Sequence, residues 1–475
     1  MREYQTVIGI EIHLELNTAT KMFSGAGYSF KQEANTMVNE IDLAHPGTLP
    51  SVNKEAVIKA LKACMALNLE IDPLIRFDRK NYYYSDLPKG FQITQQFHPI
   101  GRNGYLFIDV DGKQKKIRIN RIHMEEDTAK QFHLRDESLL DFNRAGVPLI
   151  EIVSEPDMSN GTEASLYVEK LRQTLLYLGI SDCRMEEGSM RCDVNVSINE
   201  VGATEFGTKV EIKNLNSISN VKEAIDYEVG RQKEILEAGE KVVQSTRRFD
   251  EKTRTTVLMR TKESNVDYRF FPEPNIFPIR LSQSMLDEVR AALPELPDQK
   301  KVRYAGEYQL SDYDIAQLLD NRDLDSYFEK VMLTSKNAKI TCNLLTSELP
   351  GILAKNNLKF ENNKITPENF ARLVNLINDG TINSKQGKEV LTLMMDGDDP
   401  EKIIEAKGMK QESNQDLILK MVHDVLDANE QSIIDYKNGK DRALGYLVGQ
   451  LMKASKGQVN PKIASTLMKE ELEKR

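Results

Sequence analysis

Residues 6–16 read Thr6-Val7-Ile8-Gly9-Ile10-Glu11-Ile12-His13-Leu14-Glu15-Leu16. In an extended strand alternate side chains share a face, so Ile8, Ile10, Ile12, Leu14 and Leu16 form one side and Glu11, His13 and Glu15 the other. One face belongs to a core and the other to water or chemistry. The split recurs downstream. At residues 190–198, Cys192, Val194, Val196 and Ile198 alternate with Arg191, Asp193, Asn195 and Ser197; at residues 208–213, Val210 and Ile212 alternate with Lys209, Glu211 and Lys213. If these strands share a sheet, its polar face gathers carboxylates, a histidine, an arginine and two lysines, the mixture that holds a hard divalent cation beside phosphates.

Around these strands the pattern is mixed. Residues 105–110 and 116–119 flank Asp111-Gly112, which supplies the positive φ angles of a type I′ turn, so this stretch is read as an antiparallel hairpin. Asn53 is placed to cap a helix that turns Val57, Leu61 and Cys64 inward, and Thr162 to cap one with Val168, Leu171, Leu175 and Leu178 before Gly179. The expected fold class is α+β. Pro272, Pro274, Pro278, Pro294 and Pro297 then disrupt both helix and sheet, and beyond them strand alternation gives way to helical segments such as 366–377 and 384–394. Asp396-Gly397-Asp398-Asp399-Pro400 makes a second, weaker break. Three domains are expected, over residues 1–292, 293–406 and 407–475, the last two helical.

The composition narrows the function. A chain of 475 residues with 40% apolar and 29% charged side chains is long enough to bury a core, and it does not have the composition of a disordered protein. Its net charge of -9 repels phosphate backbones as a whole, so DNA is not an expected partner and any RNA contact has to be local. The start shows no apolar leader, and no apolar run approaches ~18 residues; a cytoplasmic protein without a membrane partner is expected. Cys64, Cys183, Cys192 and Cys342 form no C-x-x-C pair, which argues for reduced thiols and against a structural zinc cage. P-loop and dinucleotide-binding glycine motifs are absent, as is a nucleophile elbow, so hydrolysis of an amide by this chain is not indicated.

Individual acids carry the sharper argument. Glu151 interrupts the apolar run Val147, Leu149, Ile150, Ile152, Val153, and its desolvation demands neutralisation by a cation or by an arginine such as Arg144; both readings stand. Of Glu125 and Glu126 only one can face inward in a regular strand. Ile117 and Ile119 do not alternate in step with Ile122 and Met124, and a bulge between them would reconcile the two phases. Oxygen-rich ligation with one histidine favours Mg²⁺ or Mn²⁺ over zinc. The segment Asp78-Arg79-Lys80-Asn81-Tyr82-Tyr83-Tyr84-Ser85-Asp86 sets two cations against three tyrosines, either as a phosphate and base contact or as a surface strand. Near the C-terminus, Lys437, Lys440, Arg442, Lys453, Lys456 and Lys462 face only Asp441 in charge. Residues 441–453 read as a helix with Leu444, Leu447, Val448 and Leu451 inward, ended by Gly457, and Asn460-Pro461 caps the next one. This basic stretch is either an RNA footprint or a solvated face of a helical bundle.

Taken in order, Val7-Ile8-Gly9-Ile10-Glu11-Ile12-His13, Ile41-Asp42 with Pro46-Gly47-Thr48-Leu49-Pro50, Asp78-Arg79-Lys80-Asn81-Tyr82, His123-Met124-Glu125-Glu126-Asp127, Leu149-Ile150-Glu151-Ile152, Met185-Glu186-Glu187-Gly188, Arg191-Cys192-Asp193 and Lys213-Asn214-Leu215-Asn216 resemble the B subunits of aspartyl/glutamyl-tRNA amidotransferases. The resemblance implies a ligase that binds misacylated Asp-tRNA(Asn) or Glu-tRNA(Gln), activates the esterified side-chain carboxylate with ATP and replaces phosphate by ammonia. It implies a glutaminase A subunit that sends ammonia through a tunnel, and a small C subunit. The large insertion of the archaeal glutamate-specific relative is lacking, which fits the three-subunit form. The implied catalytic domain is a cradle-shaped antiparallel sheet similar to glutamine synthetase. Matched residue by residue, Glu11, His13, Glu126, Glu151 and Asp193 fall on its metal-binding motifs, with no protein base needed because the substrate carboxylate itself attacks. Lys80, Tyr82, Arg191, Lys209 and Lys213 are candidates to hold ATP and its phosphates; Lys437, Lys440, Arg442, Lys453 and Lys456 are candidates to contact tRNA by shape and backbone. The rival readings are a stand-alone Mg²⁺-dependent kinase or ligase for a small carboxylic acid, and a non-catalytic tRNA-binding adaptor.

Overall fold

The computed structural model describes residues 3–29, 32–261, 267–410, 415–438, 440, 442–455 and 459–474. The chain divides into two compact units, Met1–Pro297 and Asp298–Arg475. The first is built on a nine-stranded sheet whose strands, in chain order, are β1 (Tyr4–Glu15), β2 (Glu70–Ile71), β3 (Gly101–Val110), β4 (Lys113–Glu126), β5 (Pro148–Ser154), β6 (Met190–Glu200), β7 (Val210–Leu215), β8 (Ser245–Asp250) and β9 (Thr255–Thr261). Across the sheet they run β9-β8-β7-β6-β1-β5-β4-β3-β2, with the first strand of the chain in the middle. Neighbours are antiparallel except β7 and β8, which are parallel. The antiparallel sheet expected from the sequence is found, with that one parallel step in it. A helix, α3 (Ile218–Glu237), connects the two strands, as a parallel pair requires.

Ile8, Ile10, Ile12, Leu14 and Leu16 are all buried, joined in one cluster by Val57, Leu61 and Cys64 of α1 (Lys54–Ala66), Val168, Leu171 and Leu175 of α2 (Gly161–Tyr177), and Val221 and Ile225 of α3. Each large aliphatic side chain buried there contributes about 1.5–3 kcal/mol. α1 is capped by Asn53, whose Oδ1 accepts from the Ala56 amide at 3.1 Å. α2 starts two residues earlier than its sequence signal: Asn160, not Thr162, is the cap, accepting from the Glu163 amide at 2.8 Å. The intervening Gly161 is dictated by packing, since a Cβ there would lie 2.6 Å from Asp226 Oδ1 and 2.7 Å from the Lys222 carbonyl of α3.

β3 and β4 form the expected hairpin, with Val110 opposite Lys113 and positive φ at Asp111 (52°) and Gly112 (77°). The bulge also occurs. Val153 pairs with Arg121 but Ser154 pairs with Ile119, so Asn120 is extra on β4. Ile117 and Ile119 before it and Ile122 and Met124 after it are thereby all buried.

The second unit is helical. Thr366 and Asn383 cap Pro367–Asn378 and Ser384–Leu393, and Gly397, at φ 91°, ends the turn that follows. The last four helices, Gln415–Asp427, Glu430–Lys437, Arg442–Ala454 and Pro461–Lys474, share a small core that includes Ile418, Val422, Leu426, Leu447, Leu451, Met468 and Leu472. Asn460 accepts from the Ile463 amide at 3.3 Å to start the final helix. Asp441, Lys456, Gly457 and the Lys462 side chain lie outside the described residues. Among the described residues no helix is long and apolar enough to cross a membrane.

Candidate active site on the polar face of the sheet

The register turns alternation into a surface. Across β1, Glu11 faces Asp193 and Val153, and His13 faces Arg191 and Glu151; across β5, Glu151 faces His123 and Leu149 faces Glu125. Antiparallel partners point the same way, so Glu11, His13, Glu125, His123, Glu151, Arg191 and Asp193 share the face away from the helices, and Glu211 and Lys213 extend it.

At its centre four side chains converge. His13 Nε2 lies 3.3 Å from Glu151 Oε2 and 3.8 Å from Glu125 Oε1; His123 Nε2 lies 3.3 Å from Glu151 Oε2 and 3.6 Å from Glu125 Oε2. Burial alone would raise the Glu151 carboxyl, but His123 and His13 outweigh it and hold the group well below the usual carboxylate range. Burial opposes a charge on His123 too, yet Glu151 and Glu125 push its pKa up to about 9; His13 is raised for the same reasons. Glu11 is raised, first by burial and then by the charge of Glu151.

These shifts give a prediction for the chain without cations. A histidine raised from about 6.5 to about 9 adds stability that is fully present below pH ~6.5 and disappears as pH climbs through about 9. Thermal melts in chelator are expected to show this loss in the native chain and a flatter profile in His123→Gln; parallel profiles would refute the arrangement.

The donor set fits a cation. One ligand atom each from His13, Glu125 and Glu151 lie within 4.8 Å of one another, and the carboxylate charge that raises both imidazoles is charge that an ion would neutralise. The His123 Nδ1 is buried without a hydrogen-bond partner, so its Nε2 side makes all of its polar contacts.

Of the ligands expected from sequence, His13 and Glu151 are brought together, and Glu11 and Asp193 sit beside them on the same face. Glu11 accepts from Asn195 Nδ2 at 3.3 Å, and Asp193 pairs with Lys213. Glu126 is on the opposite side, paired with Lys89 and accepting from the Ile93 amide at 2.9 Å. Glu125 takes the place assigned to Glu126, because the bulge at Asn120 sets the phase of the strand. His123, two residues before Glu125, was missed for the same reason. Arg144 does not neutralise Glu151; it donates to the Thr128 and Ala129 carbonyls at 2.9 and 3.1 Å.

Arg191 donates to Asp127 Oδ2 at 2.7 Å, Lys213 also lies 3.3 Å from Glu211, and Lys209 is exposed but close enough for its charge to oppose, weakly, the rise of the Glu11 carboxyl. Lys80 belongs to another sheet, and Tyr82, just after it, is near enough to the acids that burial and then the charges of Asp86, Glu125, Glu126 and Asp127 raise its phenol. Lys80 is on a strand of a separate three-stranded sheet (Asp78–Asn81, Phe91–Thr94, Phe271–Pro272), its ammonium 4.9 Å from the Tyr268 ring centre and 5.7 Å from that of Tyr82. An open cavity of about 590 Å³ adjoins the acids, lined by His13, Met185, Arg191, Asp193, Lys213 and Asn216 among others. In the second unit Lys437, Arg442 and Lys453 are exposed, Lys440 is paired with Asp435 at 3.0 Å, and Lys456 falls outside the described residues.

Two family models match the chain: one described as the GatB/GatE catalytic domain over residues 6–287, and one described as the GatB domain over residues 326–472. The B subunit of the aspartyl/glutamyl-tRNA(Asn/Gln) amidotransferase from Staphylococcus saprophyticus is 50% identical over 473 residues, covering 99% of this chain and 100% of the relative. Its counterpart in Bacillus thuringiensis strain Al Hakam is 48% identical over 472 residues, 99% of each chain. With a catalytic-domain match spanning more than half its length and relatives matched end to end, the chain belongs to the family of aspartyl/glutamyl-tRNA(Asn/Gln) amidotransferase B subunits.

Proposed function

We propose that the chain is the amidating subunit of a tRNA-dependent amidotransferase, converting Asp-tRNA(Asn), Glu-tRNA(Gln) or both to the amide in the cytoplasm. Its side-chain carboxylate substrate attacks the γ-phosphorus of ATP, ADP leaves, and ammonia then displaces phosphate from the acyl carbon to form the C–N bond. A glutaminase A subunit supplies the ammonia and a C subunit completes the assembly. The observation that carries the reading is the convergence of His13, His123, Glu125 and Glu151 beside a cavity that also exposes Arg191 and Lys213.

In this reading the sheet is the cradle of a glutamine-synthetase-like site, and His13, Glu125 and Glu151 hold Mg²⁺ or Mn²⁺, with Glu11, His123 and Asp193 around it. A divalent ion held by these residues would supply charge to offset that on the transferring phosphoryl group. Arg191 and Lys213, already poised by Asp127 and Asp193, turn to the phosphates. Residues 293–406 form a helical middle domain, and residues 407–475 carry Lys437, Lys440, Arg442, Lys453 and Lys456 to the tRNA.

The test is co-expression with the A and C subunits and assay of the purified complex with misacylated tRNA, glutamine and ATP. Asn-tRNA or Gln-tRNA should form with one ADP per amide, and removal of residues 407–475 should raise the KM for tRNA. Amidation that proceeds without ATP, or a small acid phosphorylated without tRNA, would overturn the reading.

A further inference from the structure

The polar face does not end at Lys213. Lys213 is paired in register with Arg248 on β8, and Thr246, on the same side of β8 as Arg248, is paired with Arg260 on β9. The face therefore runs from an acidic middle to an edge carrying two arginines. Neither side chain has a hydrogen bond or ion pair among the described residues, and both are exposed. Their surroundings differ in this respect. Arg191 is held by Asp127 and Lys213 by Asp193 and Glu211, while Arg247, next in sequence, turns to the helix side and donates to Thr256 Oγ1 and to the Thr256 carbonyl, both at 2.8 Å. Two guanidiniums on the open face of an acidic protein, with no carboxylate in ion-pair contact among the described residues and only Asp250 near enough to feel the charge of Arg248, favour an anion that arrives from outside.

The distance selects the anion. Neighbouring strands lie about 4.8 Å apart, which puts Arg248, three strands from His13, roughly 14 Å away and Arg260 roughly 19 Å away. A triphosphate whose γ end sits at the acids is too short to reach that edge, since its phosphorus atoms are joined through single oxygens. A run of nucleotides leading up to an esterified terminal ribose is long enough, with one phosphate per step. Val257, opposite Arg248, and Met259, the bulged residue of β9, are exposed beside the arginines and give apolar cover for unstacked bases.

We propose that Arg248 and Arg260 bind the backbone phosphates of the single-stranded 3′ end of the tRNA, aligning it along β8 and β9 so that the esterified amino acid reaches the acids. The inference rests on the amidotransferase reading. Guanidiniums suit the task because each presents a planar fork to a phosphate's oxygens while tolerating any base.

The experiment uses the reconstituted complex carrying Arg248→Ala, Arg260→Ala or both, with uncharged tRNA intact or trimmed of its single-stranded 3′ end. The double variant should bind intact tRNA about tenfold more weakly, and its slope of log K against log salt should fall by about 1.4, since each single-strand phosphate contact contributes about 0.7. Trimming should weaken the native complex by a similar factor and the double variant much less, while the KM for ATP holds. Arg248→Lys should keep most of the salt slope. Unchanged affinity and slope in the double variant would overturn the proposal, as would a raised KM for ATP with tRNA binding intact, which would assign the arginines to the nucleotide. A native complex that binds no tRNA would instead remove the amidotransferase reading beneath it.

Discussion

Glu125→Gln and Glu151→Gln are each expected to lower tRNA-dependent ATP hydrolysis by at least about 10²-fold, with little change in the melting temperature of the complex. Glu151 lies 3.3 Å from both imidazoles, and Glu125, 3.8 and 3.6 Å from the same two rings, closes the other side of the group. Either change removes a formal charge while keeping the shape, so a cation there loses attraction without a collapse of the sheet. The contrast is with Glu126→Gln. That carboxylate is occupied by Lys89 and the Ile93 amide on the opposite side, so its variant should bind Mn²⁺ within about threefold of native, a ligand change being felt far more than a remote one. Titration of the purified chain with Mn²⁺, read by the ion's electron spin resonance, separates the cases without recourse to activity. Loss of the ion in Glu126→Gln with retention in Glu125→Gln would reverse the assignment.

The largest effect on stability is expected at Glu228, on the other side of the sheet. This fully buried carboxylate accepts from Arg231 Nε and Nη2 at 3.0 and 2.6 Å, from Gln232 Nε2 at 2.9 Å and from Thr256 Oγ1 at 2.8 Å, and Arg247 Nε lies 3.6 Å away. It ties α3 to β8 and β9. Glu228→Ala leaves Arg231 and Arg247 largely buried beside each other with no counter-charge, and should cost about 3–5 kcal/mol, read as a lower denaturation midpoint. Glu228→Gln, which can still accept hydrogen bonds, should cost less. A loss under about 1 kcal/mol for the alanine variant would show that the arginines reach water when the acid is gone.

Much of this architecture is legible in the chain because side-chain period is a strong local signal. Thr6–Leu16 needed no partner to reveal which face is core, and Asp111-Gly112 fixed a turn by the conformations those two residues tolerate. What stayed hidden depends on contacts that no window contains. The phase at Glu125 and Glu126 is set by one extra residue, Asn120, and only the pairing with β5 shows it. Thr162 looked like a cap, but Asn160 two places earlier also has an accepting side chain and is the one that takes the Glu163 amide. The parallel step between β7 and β8 depends on where α3 returns the chain, which alternation cannot report. Arg247 and Arg248 look alike in sequence; one joins a buried network and the other faces outward beside Lys213.

The place of β1 has a consequence for synthesis. The ribosome makes it before the other strands of the sheet, yet it occupies the middle, and the earlier-made of its two neighbours, β5, pairs Leu149 with Glu15. At about 5–20 residues per second, this apolar strand emerges on the order of 10 s before anything can flank it on even one side, and longer before β6 covers the other. A nascent chain in that interval displays an unprotected β-forming segment, the sort of sequence on which ribosome-bound chaperones act, and the yield of soluble protein should depend on elongation rate more steeply than on final stability.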